Sequence, residues 1–386
     1  MISLRLRGFK YLRRQRILTL FLITTLSSML FSTTALSLLS FYRGFTSYLG
    51  EEEDVVVVYD RRSSTPFTGL VPAYLSERIS SLNGVLASSP EVIVPCILKG
   101  RPTFLRGVVP EDLARLNRIT MIEGSMLRLD DMNSIIVGKN AAERLNIKLG
   151  ERILVLGVLT DRYLELQVKG IFLSHSPMDD EVLAPLYIGQ WLRGIDYSYV
   201  TLIRFKIDRK VIAPSAILGE IAGKEQQEAP GQAPKSSNKA PIGPSIARIV
   251  RPEEIGVKEA YNFMRSYMER YGVTREVLLV LSATIFLLSS ASMTEAFRTI
   301  LAQHREEMNI LRDIGASKKL LKRDIMAKLL PWSIAASSLG FVMALAFLIV
   351  VNRDFLVLSH TPPLVVDPLV VVLNFLLPLL LMLGMD

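Results

Sequence analysis

Few residues able to do covalent or acid–base chemistry occur in this chain, and they are scattered. The three histidines, His175, His304 and His360, are too far apart in sequence to suggest a shared metal or catalytic site. No His-Glu-x-x-His, Gly-x-Ser-x-Gly or Cys-x-x-Cys pattern is present, so the signatures of zinc proteases, hydrolase elbows and dithiol redox sites are missing. The phosphate-cradling Gly-x-x-x-x-Gly-Lys-Ser/Thr is missing too. VGKN at Gly138-Lys139 and AGKE at Gly223-Lys224 lack both the upstream glycine and the hydroxyl residue. The acids Asp179, Asp180 and Glu181, like Glu51 to Asp54, read as solvated turns before they read as cation sites. Cys96, the sole cysteine, sits in the apolar EVIVPCIL as a buried thiol and cannot form an intrachain disulfide. The sequence thus offers no catalytic, cofactor or metal residues. What remains is the charged run REEMNILRDIGASKK, residues 305–319, between two long apolar segments.

Those apolar segments place the run. Ile17 to Tyr42, Val277 to Thr294, Leu329 to Asn352 and Pro368 to Met385 contain no charge over 26, 18, 24 and 18 residues. About 20 apolar residues in a helix match the hydrocarbon thickness of a bilayer, so four transmembrane helices are expected. The first is too long for a signal-peptide core and reads as an uncleaved span. Its seven serines and threonines between Thr24 and Thr34 suit packing on other helices.

The net charge of +8 is unevenly placed. Residues 1–16 hold six Lys/Arg and no acid, and residues 298–328 hold eight against four acids, whereas 43–276 hold 30 against 29. Positive charge flanking spans marks the inner side of a membrane and removes the case for a nucleic-acid stripe. The expected organisation is a cytoplasmic amphipathic N-terminus (1–16), helix one (17–42), an extracytoplasmic domain (43–276), helix two (277–297), a cytoplasmic loop (298–328), helix three (329–352), an external loop (353–366) and helix four (367–386), ending early. This is a multi-pass cell-membrane protein.

The outside domain reads as mixed α/β. DVVVVYD and EVIVPCIL are short buried strands. LELQVKGIF and TLIRFKID alternate apolar and polar residues as half-buried strands do, which turns Arg204 and Lys206 outward. NAAERLNIKLGE predicts a helix stopped by Gly150, and VIAPSAILGEIAG a second one interrupted by Pro214. Residues 223–245 are too polar to offset the entropy of ordering and read as a mobile loop. From about Glu253 to Ile314 the pattern is helical, roughly 90 Å at ~1.5 Å per residue, with Gly272 bending it at the membrane surface.

On the inner side Phe297, Ile300, Leu301, His304, Met308 and Leu311 recur at steps of three and four, one apolar helix face. Gly315 supplies a left-handed stop and Ser317 a cap for the following helix, KKLLKRDIMAKLL. This stretch resembles the signature of the macrolide-exporter and cell-division type of ABC transporter permeases, the MacB/FtsX superfamily, which reads like R-x-x-E-I-G-x-L-R-A-I-G-A-S. Arg305, Glu307, Ile310, Leu311, Arg312, Ile314, Gly315, Ala316 and Ser317 match, while Met308, Asn309 and Asp313 depart. Ala327-Lys328 stands where the family often has Glu. RRQRILTLFLI, the block from Gly124 to Val158, VKGIF and DDEVLAPLYIGQWL are similar to further family segments, and residues 210–250 are not.

The resemblance implies a dimeric permease, homodimer or paired with a related permease, in the lipid bilayer. It also implies a separate ABC ATPase that holds ATP and Mg, and an extracytoplasmic adaptor as a further partner. The inner loop would be the coupling helix docked in the ATPase, with Arg305, Glu307, Ile310, Leu311, Arg312, Gly315, Ala316 and Ser317 as the coupling residues. Motion would pass along the first two spans to the outside domain for export or extrusion. The alternative from another class is a membrane-anchored sensor or adaptor whose outside domain binds a ligand. A membrane hydrolase has no site to support it.

Overall fold

The computed structural model describes residues 14–50, 52–217, 219, 254–303, 309–310, 313, 315, 317–354 and 367–383. The chain divides into two compact units, each with its own core. One holds the chain up to Tyr42 with segments from Val273 onward, and the other holds Arg43–Gly272.

In the second unit, β1 (Val55–Asp60) opens with four valines in the run VVVVYD. Its β-branched residues suit a strand buried on both faces. It pairs antiparallel with β11 (Leu202–Ile207) and with β12 (Ile255–Glu259). Beyond β11 the sheet continues through β3 (Val85–Leu98), β4 (Arg101–Val108), β9 (Val182–Pro185), β6 (Ser134–Gly138), β8 (Tyr163–Leu173) and β5 (Thr120–Gly124). Strand β7 (Arg152–Gly157) pairs with both β3 and β8, so the pairings β3-β4-β9-β6-β8-β7-β3 close on themselves. Val92, Val94, Leu105, Val137, Val155, Val168 and Val182 fill the interior of that ring as one core. Helix α6 (Ala260–Arg270) covers the β1 face with Ala260, Phe263, Met264, Tyr267 and Met268. These positions, i, i+3, i+4, i+7 and i+8, make the apolar stripe of an amphipathic helix.

Several expectations change here. IGVKE is strand β12, an edge strand added to β1, and not the start of a long helix. The expected 90 Å helix is broken: α6 ends at Arg270, Gly272 takes φ +74°, and a new helix, α7 (Arg275–Gln303), begins beyond it. Helix α4 (Lys139–Leu145) is stopped at Asn146, which adopts a left-handed φ of 49°, four residues before Gly150. Pro214 opens a helical turn at 214–217 instead of interrupting a helix. Arg204 is buried in β11, so TLIRFKID is not a half-solvated strand. The expected mobile loop, 223–245, lies outside the described residues.

The first unit is helical. Helix α1 (Arg14–Thr46), α7 and α8 (Lys318–Asp354) each contain a segment long and apolar enough to cross a membrane: Leu18–Thr46, Arg275–Glu295 and Leu330–Val351. Helix α9 (Pro368–Leu383) has 16 residues, about 24 Å, which is short of a ~30 Å hydrocarbon core. Among the described residues there are thus three full-length candidate spans and one shorter apolar helix. Leu20, Phe31, Leu36, Met293, Leu348 and Val370 form their shared core.

Candidate functional site

The expected coupling segment joins α7 to α8. Asn309, Ile310 and Asp313 are helical, Gly315 forms a turn, and Ser317 immediately precedes α8. Gly315 has φ +102°, and a Cβ placed there would meet nothing within 4 Å. Its requirement for glycine is therefore conformational and not one of space. Ile310 is 60% exposed, a large apolar side chain turned away from the helical core. Arg305, Glu307, Leu311, Arg312 and Ala316 lie outside the described residues. Among the described residues of this segment, Gly315 thus supplies a left-handed break shortly before α8, and Ile310 is exposed.

A second constellation was not legible from spacing. Glu91 of β3, Arg106 of β4, Arg204 of β11 and Glu181 just before β9 are all buried in the domain. The Arg106 Nε donates to Glu181 Oε2 at 2.7 Å and its Nη2 to Glu181 Oε1 at 3.1 Å, a bidentate fork, while Nη1 donates to Glu91. Arg204 donates through Nε to Glu91 Oε1 at 2.7 Å, through Nη2 to Asn117 Oδ1 at 2.7 Å, and through Nη1 to the Leu49 carbonyl at 3.0 Å. The Tyr48 hydroxyl donates to Glu181, and the Arg106 guanidinium lies 4.9 Å over the Tyr48 ring.

Two arginines and two glutamates neutralise one another here. Isolated charges at this depth would each cost several kcal/mol, roughly, in lost hydration. Burial acts to lower the Arg106 pKa, but Glu181, Tyr48 and Glu91 together outweigh it, so the guanidinium stays above its ordinary value. Burial raises the Tyr48 hydroxyl well above its own. Tyr48 and Leu49 follow α1 directly, so the network fastens the residues just after the first helix to three strands of the domain. A sequence signal for it exists: FLRGVV and SPEVIV each centre one charge in an apolar strand, and LIRFKI sets Arg204 and Lys206 among apolar residues.

The acidic cluster is likewise structural. Asp179 Oδ1 accepts from the Ser174 hydroxyl at 2.7 Å, Asp180 accepts from Arg144 at 2.6 Å, and Glu181 belongs to the network above. Each acid is buried with its own partner, so the solvated-turn expectation fails. No group of metal-holding side chains occurs among the described residues.

In the helical unit a third polar cluster ties three helices together. Asn374 of α9 is buried, with Ser28 Oγ 2.7 Å and Ser32 Oγ 3.3 Å from its Oδ1, and its Nδ2 donates to the Ser337 carbonyl of α8 at 3.2 Å. One helix turn on from Ser337, Gly340 lets α8 approach α1. A Cβ there would lie 2.4 Å from the Thr25 carbonyl oxygen. The hydroxyl-rich face of α1 is thus a helix-packing face.

Residues 279–385, which include α8, α9 and most of α7, match the FtsX-like permease C-terminal family. This C-terminal part of the chain is similar to the FtsX-like permeases. With its apolar helices, this makes it a membrane protein. No curated protein matches it. The periplasmic region of MacB from Actinobacillus actinomycetemcomitans aligns with 60% of this chain and 97% of its own, at 12% identity and a TM-score of 0.37. The extracellular domain of the noncanonic ABC-type transporter YknZ from Gram-positive bacteria aligns with 43% of this chain and 88% of its own, at 14% identity and a TM-score of 0.31. A domain of a putative permease protein from Porphyromonas gingivalis aligns with 46% of this chain and 85% of its own, at 14% identity and a TM-score of 0.32.

Proposed function

We propose that this chain is the membrane subunit of an ABC transporter, coupling a separate ATPase to its extracytoplasmic domain for export or extrusion. In this reading α9 completes a fourth span, the N-terminus and the α7–α8 junction are cytoplasmic, and two permease chains pair, alike or related. ATP and Mg are held by the partner ATPase, and an extracytoplasmic adaptor is a further partner. The observation that carries the reading is the family match across 279–385, which contains the Gly315 break. An exposed Ile310 beside that break is what a docking helix needs.

Motion delivered at the junction would travel along α7 and α1. Driving a domain equilibrium from 1:99 to 99:1 needs about 5.5 kcal/mol of differential binding, a quantity that closure of an ATPase pair can supply. Gly315→Pro forbids the positive φ, because proline holds φ near −65°. Leu311→Asp puts a charge on the docking face. Both variants should lose co-purification of the ATPase and its stimulation, while the domain keeps its fold by circular dichroism. Retention of the ATPase by both would overturn the coupling assignment.

A further inference from the structure

Strands β7 and β8 form a hairpin whose two faces differ. Ile153 and Val155 of β7 and Leu166 and Val168 of β8 belong to the core inside the ring of strands. The alternate residues turn outward, where Arg152, Leu154 and Leu156 lie opposite Gln167, Glu165 and Tyr163 in register. Outward positions of a half-buried strand are normally polar, yet three of these six are apolar. Leu154 is 56% exposed, Leu156 38% and Tyr163 65%, and Val158 and Leu159 at the hairpin tip are exposed as well.

The hairpin is firmly held. The Gly157 N–H donates to the Arg162 carbonyl at 2.9 Å, and the Val158 N–H to the Pro95 carbonyl of β3 at 2.9 Å. Its tip is tied to the end of α5 (Leu186–Arg193): the Thr160 hydroxyl donates to the Leu192 carbonyl at 2.8 Å and Arg162 to the Trp191 carbonyl at 3.1 Å. The Arg162 guanidinium also lies 4.3 Å over the Trp191 ring. A contact face carried on a fixed backbone loses little entropy when it meets a partner.

Its area limits what that partner is. At ~100 Å² for a whole aliphatic side chain and ~200 Å² for an aromatic one, the five exposed side chains show roughly 300 Å² of apolar surface. One side of a standard interface buries about 800 Å², of which about 450 Å² is apolar. The face falls short of what captures a free protein from solution, and suits chains that one membrane already concentrates.

Its charges select among such chains. Arg152 and Glu165 are exposed, and neither forms an ion pair among the described residues. Leu154 stands between them, two residues from Arg152 along β7 and directly opposite Glu165 on β8. A twofold axis lying in the contact plane through Leu154 sets that leucine against its own copy and Arg152 of each chain over Glu165 of the other. The face is thus complementary to itself, apolar at the axis and oppositely charged on either side of it.

We propose that the outward face of β7 and β8 is a contact between two copies of this chain, centred on Leu154 and fastened by reciprocal Arg152–Glu165 pairs. The proposal rests on the pairing of like chains given above and needs no ATPase.

The test uses the full chain in its membranes, with Cys96→Ser removing the sole native thiol. Facing sheets pack about 10 Å apart, within reach of a short bismaleimide. Leu154→Cys should be linked to a second copy at least about tenfold faster than Met132→Cys, an exposed position in the β5–β6 connection. Adding Arg152→Glu should slow the linking about fivefold, the upper value for one exposed ion pair. Adding Glu165→Arg to that variant should restore it, because the exchanged charges again face one another, whereas a foreign partner's charges would not have changed. Circular dichroism of each purified variant checks its fold, and Arg152→Gln gives a milder form of the same readout if Arg152→Glu misfolds. Light scattering of the unmodified chain is read in parallel. A dimer that is not linked at Leu154→Cys would overturn this face and leave the pairing of chains standing, whereas a monomer would overturn both. Equally fast linking at Met132→Cys, no restoration by the double exchange, or linking of Leu154→Cys to a different polypeptide would each overturn self-pairing.

Discussion

Arg106 is the residue on which the domain's electrostatics turn. It alone bonds both buried glutamates, so its removal leaves Glu91 with only Arg204 and Glu181 with only Tyr48 among the bonds described above. Breaking a buried ion pair by deleting one partner costs ~3–5 kcal/mol, and Arg106→Met should destabilise the domain by about that amount. Tyr48→Phe removes one hydrogen bond to a charged group, roughly 1.5–3 kcal/mol, and leaves the bidentate fork in place. Thermal unfolding of the detergent-solubilised chain should rank the two in that order. Equal losses would mean that the network does not act as described. The burial of the network explains why spacing alone missed it: its members lie on four separate strands or their flanks and meet only once the sheet is assembled.

Among the elements, α9 is the one whose standing rests on packing more than on length. Its 16 residues are few for a span, yet Asn374 bonds it to α1 and α8 together. An interhelical hydrogen bond in a membrane bundle contributes about 0.6 kcal/mol and at most ~1.7. Asn374→Leu should therefore lower the bundle's thermal midpoint modestly without preventing insertion. Gly340→Ala should do more, because its new methyl meets the Thr25 backbone at 2.4 Å and a carbonyl cannot rotate aside. A Gly340→Ala protein with an unchanged midpoint would show that α1 and α8 are not in close contact there. The serine- and threonine-rich pattern of α1 announced a packing face, and the structure identifies α8 and α9 as its partners.

For the whole molecule the proposed topology puts the two ends of α7 on opposite sides of the membrane. Cys96 is the only cysteine and is buried, so with Cys96→Ser as background a single new thiol reports on its own position. Ser64 and Asn309 are exposed and lie on either side of α7 in sequence. Ser64→Cys should react with a membrane-impermeant maleimide applied to intact cells, and Asn309→Cys only after permeabilisation. The reverse pattern would invert the proposed topology, and reaction of both from outside would deny that α7 spans.

The sequence by itself determined what local composition can determine. Charge-free runs set the membrane helices, because hydrocarbon excludes charge over a fixed thickness. The four valines of β1 set a buried strand, and the Gly315 motif carried the resemblance to a permease family. Tertiary structure decided the rest. IGVKE became a strand because β1 offered it an unpaired edge, an opportunity visible only once β1 was in place. Arg204 turned inward because Glu91, more than a hundred residues earlier, waited there to neutralise it. Pairing across the chain can reverse the side on which a residue lies, and no periodicity within a segment records its partner's position.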